Sequence, residues 1–123
     1  MLFDGVGRLG HRFREWYLAL DEAAADAVGA AVDMLAETGP SLGRPLVDRI
    51  QGSAHHNMKE LRVSTGGRRL RVLFVFDPRS AAVLLIGGDK TGRWSQWYRD
   101  AVPLADELYE SYLRELHSEG ELP

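Results

Sequence analysis

Residues 58–99 decide the fold: Met58-Lys-Glu-Leu-Arg-Val-Ser-Thr-Gly-Gly-Arg-Arg-Leu-Arg-Val-Leu-Phe-Val-Phe-Asp-Pro-Arg-Ser-Ala-Ala-Val-Leu-Leu-Ile-Gly-Gly-Asp-Lys-Thr-Gly-Arg-Trp-Ser-Gln-Trp-Tyr-Arg99. This stretch reads as three short strands joined by two tight turns and followed by a basic, aromatic loop. Gly66-Gly67 suits the positive φ angles of a two-residue hairpin turn. Asp77-Pro78-Arg79-Ser80 is the second turn, with proline fixing φ at its second position.

The glycine pair sets the register. With Gly66-Gly67 at the tip, Leu61 faces Val72 and Val63 faces Leu70, so these pairs share one apolar side. On the other side Arg62 stands opposite Arg71. Like charges directly opposed across strands cost roughly 0.2–1 kcal/mol, and a face that tolerates them is suited to meeting an anion. Glu60, two residues from Arg62, is the available internal counter-charge. The third strand, Ala81 to Gly87, runs back beside the second and ends near Arg62, Arg69 and Arg71. Lys90 follows with the parity of Arg71, and then come Arg93, Trp94, Trp97, Tyr98 and Arg99. Cations and rings at one end of a small sheet are what single-stranded nucleic acid needs: charge for phosphates and rings for base stacking. Trp94 and Trp97 can equally cap the core.

Outside this meander the chain holds two helical segments. Asp21 is placed to cap a helix running to about Thr38, where Ala24, Ala27, Val28, Ala31 and Leu35 repeat at helical spacing and Gly39-Pro40 stops it. Phe13 to Leu20 suits either a short strand or a helical lead-in. Residues 39–53 connect, with one helical turn near Pro45 to Ile50. Asp100 is placed to cap a last helix with Pro103 in its first turn and a stripe of Ala101, Leu104, Ala105, Leu108, Tyr112 and Leu116. The expected organisation is a flexible arm over residues 1–12, one domain over 13–117 and a frayed tail over 118–123.

With 123 residues, 45% hydrophobic and 27% charged, the chain is of a size and composition for one globular domain. It contains no cysteine, which removes disulfides, thiol nucleophiles and thiolate metal sites, and a reducing cytoplasm is its expected home. Residues 1–10 lack the apolar run of a signal peptide, and no stretch approaches the ~18 apolar residues of a membrane span. The net charge of −3 hides a strong asymmetry. Residues 44–99 carry 11 Lys+Arg and 4 Asp+Glu, for +7, whereas the remainder carries 4 and 14, for −10. A basic middle of this kind can bind polyanions locally. No zinc-ligand spacing, phosphate-cradling loop or Ser/His/Asp arrangement is present.

The order of segments is a helix, Gly-Pro-x-Leu-Gly-Arg-Pro-x-Val at 39–47, Lys-Glu-Leu-Arg at 59–62, Leu-Arg-Val-Leu-Phe-Val-Phe at 70–76 and Leu-Leu-Ile-Gly-Gly-Asp-Lys at 84–90, before a final helix. Across residues 13–115 this resembles the HigB-type branch of the RelE/ParE superfamily of bacterial toxins, in an actinobacterial, phage-derived form. The resemblance implies an α+β fold: a small antiparallel or mixed sheet with N-terminal helices packed on it and a C-terminal helix. It also implies a ribosome-dependent mRNA endoribonuclease that works without a metal or other cofactor, by attack of a 2′-oxygen on the adjacent phosphate. The implied partners are a helix-turn-helix antitoxin of HigA type, mRNA on the ribosome, and operator DNA reached only through the antitoxin, with no membrane.

Carried over by position, Arg62 falls at the arginine of the Glu-Leu-Arg strand, Arg71 at that of the next strand, and Lys90 at the basic residue after the last. Arg71 is the first choice for stabilising a pentacoordinate phosphate, Arg62 for a neighbouring phosphate, and Lys90 for a phosphate or the leaving 5′-oxygen. Tyr98 is a candidate for proton transfer if the basic cluster lowers its pKa. Lys59, Arg68, Arg69, Arg93, Trp94, Trp97, His55 and His56 are the expected RNA contacts. The chain departs from the pattern in two ways. RelE-like enzymes carry two lysines on the first sheet strand, where Lys59 stands beside Met58 and Glu60 with core-side parity. The histidine that some HigB relatives carry late in the sheet is absent, His117 being the only later one. The residues alone leave a second class open: a gyrase poison of ParE type, or a catalytically inactive module that binds antitoxin and DNA.

Overall fold

The computed structural model describes residues 6–122. Their element order is β1 (Arg8–Leu9), α1 (His11–Leu18), α2 (Glu22–Thr38), a 3-10 turn (Gly39–Ser41), β2 (Val47–Arg49), β3 (Lys59–Thr65), β4 (Arg68–Phe76), β5 (Ala82–Asp89) and α3 (Trp94–Ser118). The strands form one mixed sheet in the order β1-β5-β4-β3-β2, with β1 parallel to β5 and the other pairs antiparallel. This is the α+β fold expected from the sequence.

The hairpin register is the one the glycine pair dictates: Leu61 opposite Val72, Arg62 opposite Arg71, Val63 opposite Leu70. Gly66 and Gly67 both take positive φ, 55° and 78°, which a side chain would resist. Central strand β4 is buried from Leu70 to Val75. Its unbroken apolar run from Val72 to Phe76 follows from this, because helices cover both faces and neither needs a polar side. On one face α1 and α2 pack Phe13, Ala24, Val28, Val32 and Leu35 against Leu61, Val63, Val72 and Phe74. On the other, α3 packs Trp97, Ala101, Ala105, Tyr109 and Leu116 against Leu73, Val75, Val83 and Leu85. Adjacent glycines in β5 admit one indole on each face. A Cβ at Gly87 would lie 2.1 Å from the Trp16 ring, and one at Gly88 would lie 2.2 Å from Trp97 Nε1.

Asp21 caps α2 as expected, accepting from the Ala24 amide at 2.9 Å, and the helix ends at Thr38. Four expectations need correction. Residues 8–12 are no free arm, since Arg8–Leu9 is a strand on β5 and His11 opens α1, which also settles Phe13 to Leu18 as helix; residues 1–5 lie outside the described residues. The supposed helical turn near Pro45 is followed by the edge strand β2. Helix α3 begins at Trp94 and not at Asp100, so Pro103 sits inside it and removes an interior hydrogen bond. Finally, part of the expected frayed tail is tied down: Arg79 pairs with Glu121 at 3.1 Å, and Leu122 packs on the α3-side core.

Candidate nucleic-acid interface

Three strands bring the expected cations together. Arg71 on β4 faces Arg62 on β3 and Gly88 on β5, and the Lys90 amide donates to the Arg69 carbonyl at 3.0 Å just past the end of β5. Arg62, Arg71 and Lys90 therefore project from the face that α3 covers, and all three are directed at Glu60. Glu60 Oε2 lies 3.5 Å from Arg62 Nε, and its Oε1 lies 3.5 Å from Arg71 Nε. These are ion pairs by distance but not hydrogen bonds, so both buried Nε–H groups lack an acceptor. Arg71 Nη1 donates to the Leu70 carbonyl at 2.9 Å, and Arg62 reaches Asp48 at 3.8 Å. Three positive charges thus surround one carboxylate.

Helix α3 roofs this cluster. Tyr98 donates its hydroxyl hydrogen to Glu60 Oε1 at 2.5 Å and accepts from Lys90 Nζ at 3.2 Å. The Lys90 ammonium lies 3.5 Å from the centre of the Trp94 ring, and the Arg69 guanidinium lies 4.9 Å from that centre. A cation over an indole face is attracted by the ring quadrupole. The result is burial: Glu60 is 6% exposed, Arg71 5% and Lys90 1%, while Trp94 stays 48% exposed. Burial, then the Arg71 charge, holds the Lys90 ammonium below its ordinary pKa, with Glu60 pulling the other way.

Tyr98 departs from expectation in sign. Burial first, then the Glu60 hydrogen bond and charge, push its pKa up to about 12. Glu60 and desolvation outweigh the arginines, so Tyr98 stays protonated and acts as a fixed donor to the carboxylate.

The expected RNA contacts divide. Arg69, Trp94 and Lys90 share the site, and Arg93 is the exposed residue preceding α3. Trp97 is a core residue, 6% exposed, with its indole against Gly88. Lys59 is on the opposite face, with Nζ 5.8 Å from the Phe76 ring centre. Arg68 pairs at the hairpin tip with Asp21 at 3.1 Å, also away from the cluster. His55 is set against the middle of α3, 3.0 Å from Glu110 and edge-on to Tyr109 at 4.9 Å, while His56 is exposed beside it. Neither histidine approaches Glu60.

Two clefts open beside the cluster. One of about 330 Å³ is lined by Pro45, Leu46, Arg62, Ser64 and Arg71. The other, of about 320 Å³, is lined by Arg49, Ile50, Gln51, Glu60, Ser95 and Tyr98. A cleft of about 340 Å³ at the β1 edge, with Arg8, His11 and Arg14 in its wall, lies apart from them. The sequence reading missed Asp48 and Arg49, because β2 is only three residues long and shows no alternation. The signal was their place in the run 44–49, four and five residues after Arg44.

Residues 15–110 match the family described as "Phage derived protein Gp49-like (DUF891)". Two Mycobacterium tuberculosis relatives are similar over most of the chain, and they carry the names "Putative toxin HigB3" and "Putative toxin HigB2". HigB3 is 47% identical over 105 residues, covering 85% of this chain and 90% of the relative. HigB2 is 45% identical over 116 residues, covering 92% of this chain but 58% of that longer relative. No solved structure gives a significant match. With its family pattern spanning most of the chain and its hairpin arginines in register, the protein belongs to the phage-derived Gp49-like family, in the branch that holds the HigB-type toxins.

Proposed function

We propose that the chain is the toxin of a type II toxin-antitoxin pair and a ribosome-dependent endoribonuclease that cuts mRNA by attack of a 2′-hydroxyl on the adjacent phosphate. The observation that carries this reading is the excess of three cations, Arg62, Arg71 and Lys90, over the two carboxylates within their reach, Glu60 and, beside Arg62 at 3.8 Å, Asp48. Relatives named as toxins support the toxin half of it. A helix-turn-helix antitoxin of HigA type and a cytoplasmic setting complete the reading; among the described residues no helix is long and apolar enough to cross a membrane.

Arg71, held on a central strand, stabilises the charge that accumulates on the pentacoordinate phosphate, an effect worth several kcal/mol when the donor is fixed in advance. Arg62, more exposed, holds a neighbouring phosphate. Glu60 is placed to take the proton of the attacking 2′-hydroxyl, and Lys90, its ammonium weakened by burial, to give one to the departing 5′-oxygen. The products are a 2′,3′-cyclic phosphate and a 5′-hydroxyl. Tyr98 orients Glu60 throughout. Because Arg71 and Lys90 are covered, Trp94, in the first turn of α3, has to swing away before a phosphate enters, leaving Tyr98 on Glu60. Gly92, at φ 74°, precedes that turn.

A second reading has its own support. Glu60 already faces all three cations and Tyr98 holds its proton, as in a module that binds an antitoxin, and operator DNA through it, or poisons gyrase without cutting RNA. Mapping mRNA 5′ ends after induction separates the two. New ends inside codons are the expected result; DNA damage without new ends overturns the nuclease reading in favour of gyrase.

A further inference from the structure

The like-charge opposition at Arg62 and Arg71 recurs one strand further out. Arg49 on β2 stands directly opposite Lys59 on β3, on the opposite face of the sheet. Here no carboxylate answers: among the described residues neither Arg49 nor Lys59 forms an ion pair. With Arg44 they line a cleft of about 290 Å³ whose one acid is Asp48.

This cleft joins the Glu60 cluster at two points. Asp48 is shared, 3.2 Å from Arg44 Nε and 3.8 Å from Arg62 Nη1. Arg49 lines both this cleft and the one holding Glu60 and Tyr98. A band of six cations (Arg44, Arg49, Lys59, Arg62, Arg71 and Lys90) and two acids (Asp48 and Glu60), net +4, therefore turns about an edge strand three residues long.

We infer that Arg44, Arg49 and Lys59 form a second phosphate subsite, so that single-stranded RNA is held across the β2 edge, with one phosphate at Arg71 and flanking ones on the far face. This rests on reading the Glu60 cluster as an RNA site. The ligand is single-stranded because a duplex, stiff over roughly 150 base pairs, cannot turn about so narrow an edge. Lys59, misplaced for the reaction centre, is placed for this subsite.

The test uses the full chain and fluorescein-labelled deoxyoligonucleotides of two and six nucleotides, which lack the 2′-hydroxyl and cannot be cut. The exposed pair Arg44→Ala with Arg49→Ala is compared with Arg12→Ala with Arg14→Ala, an equal charge change on the exposed side of α1. The first pair is expected to weaken hexamer binding about tenfold, to lower the slope of log affinity against log salt by about 0.7 per lost phosphate contact, and to leave the dimer unchanged. The α1 pair is expected to do none of this. Unchanged hexamer binding, equal loss for dimer and hexamer, or equal loss in the α1 pair overturns the proposal. If binding behaves as expected while ribosome-bound mRNA is not cut, the nuclease reading fails and the subsite stands.

Discussion

Two buried carboxylates, one on β3 and one in the β4–β5 turn, each accept a hydrogen bond from a tyrosine of α3, and they differ in how far their partners are satisfied. Asp77, its side chain fully buried, is saturated. It accepts from the Tyr112 hydroxyl at 2.8 Å, the Arg79 amide at 2.8 Å, the Ala81 amide at 3.0 Å and the Arg79 guanidinium at 3.3 Å. One acid meets one guanidinium, the β4–β5 turn is locked, and Ser80 is held at φ 64°. Glu60 accepts one good hydrogen bond, from Tyr98, and faces three cations, two of which keep a buried Nε–H without an acceptor. Charge balance with complete hydrogen bonding marks a staple. Surplus cation with unanswered N–H groups is what the proposed RNA site would use.

If that contrast is right, the Asp77 end governs stability, and the largest effect is there. Asp77→Ala leaves the buried Tyr112 hydroxyl and the Arg79 and Ala81 amides without their acceptor, and denaturant melts are expected to show a loss of about 3–4 kcal/mol. Toxicity per folded molecule should be kept; a mild melt with lost activity would reverse the two roles. Next, Gly88→Ala drives a methyl into the Trp97 indole, with an expected cost of about 1–3 kcal/mol and looser docking of the α3 roof, read by near-UV dichroism.

Anions sharpen the comparison at smaller amplitude. An uncuttable oligonucleotide at ten times its dissociation constant is expected to stabilise the protein by about 1.4 kcal/mol. Arg62→Ala should abolish this shift and Arg79→Ala should leave it. The last is a pH effect, which at Tyr98 is confined to the alkaline range. Tyr98 binds its proton more tightly folded than unfolded, so its stabilising contribution is whole below its ordinary pKa near 10 and is lost as pH climbs toward about 12. Tyr98→Phe is expected to flatten stability across that window. At Asp77 the sign reverses. Burial disfavours its charge, but the Ala81, Tyr112 and Arg79 bonds outweigh this and lower its pKa, so that end weakens as pH falls.

The legible parts of this molecule were the local ones. Gly66-Gly67 fixed which residues oppose each other, so Arg62 and Arg71 could be paired by arithmetic, and Asp21 and Gly39 bounded α2 by their own chemistry. Non-local choices were hidden. The stripe of α3 says which side of the helix is buried but not which sheet face receives it, so the burial of Lys90 under Trp94 could not be read. The sign of the Tyr98 shift depends first on its burial and then on Glu60, 38 positions away. Strand β1 pairs with residues 75 positions later in only two places, too few for any pattern.

Cleavage of ribosome-bound mRNA by the purified parent and by Arg71→Ala, with melts of both to verify the fold, tests the central claim most directly. A folded Arg71→Ala protein should cut about 10²–10³ times more slowly, the loss seen when a fixed charge-stabilising donor is removed. Cutting at the parent's rate would contradict the account.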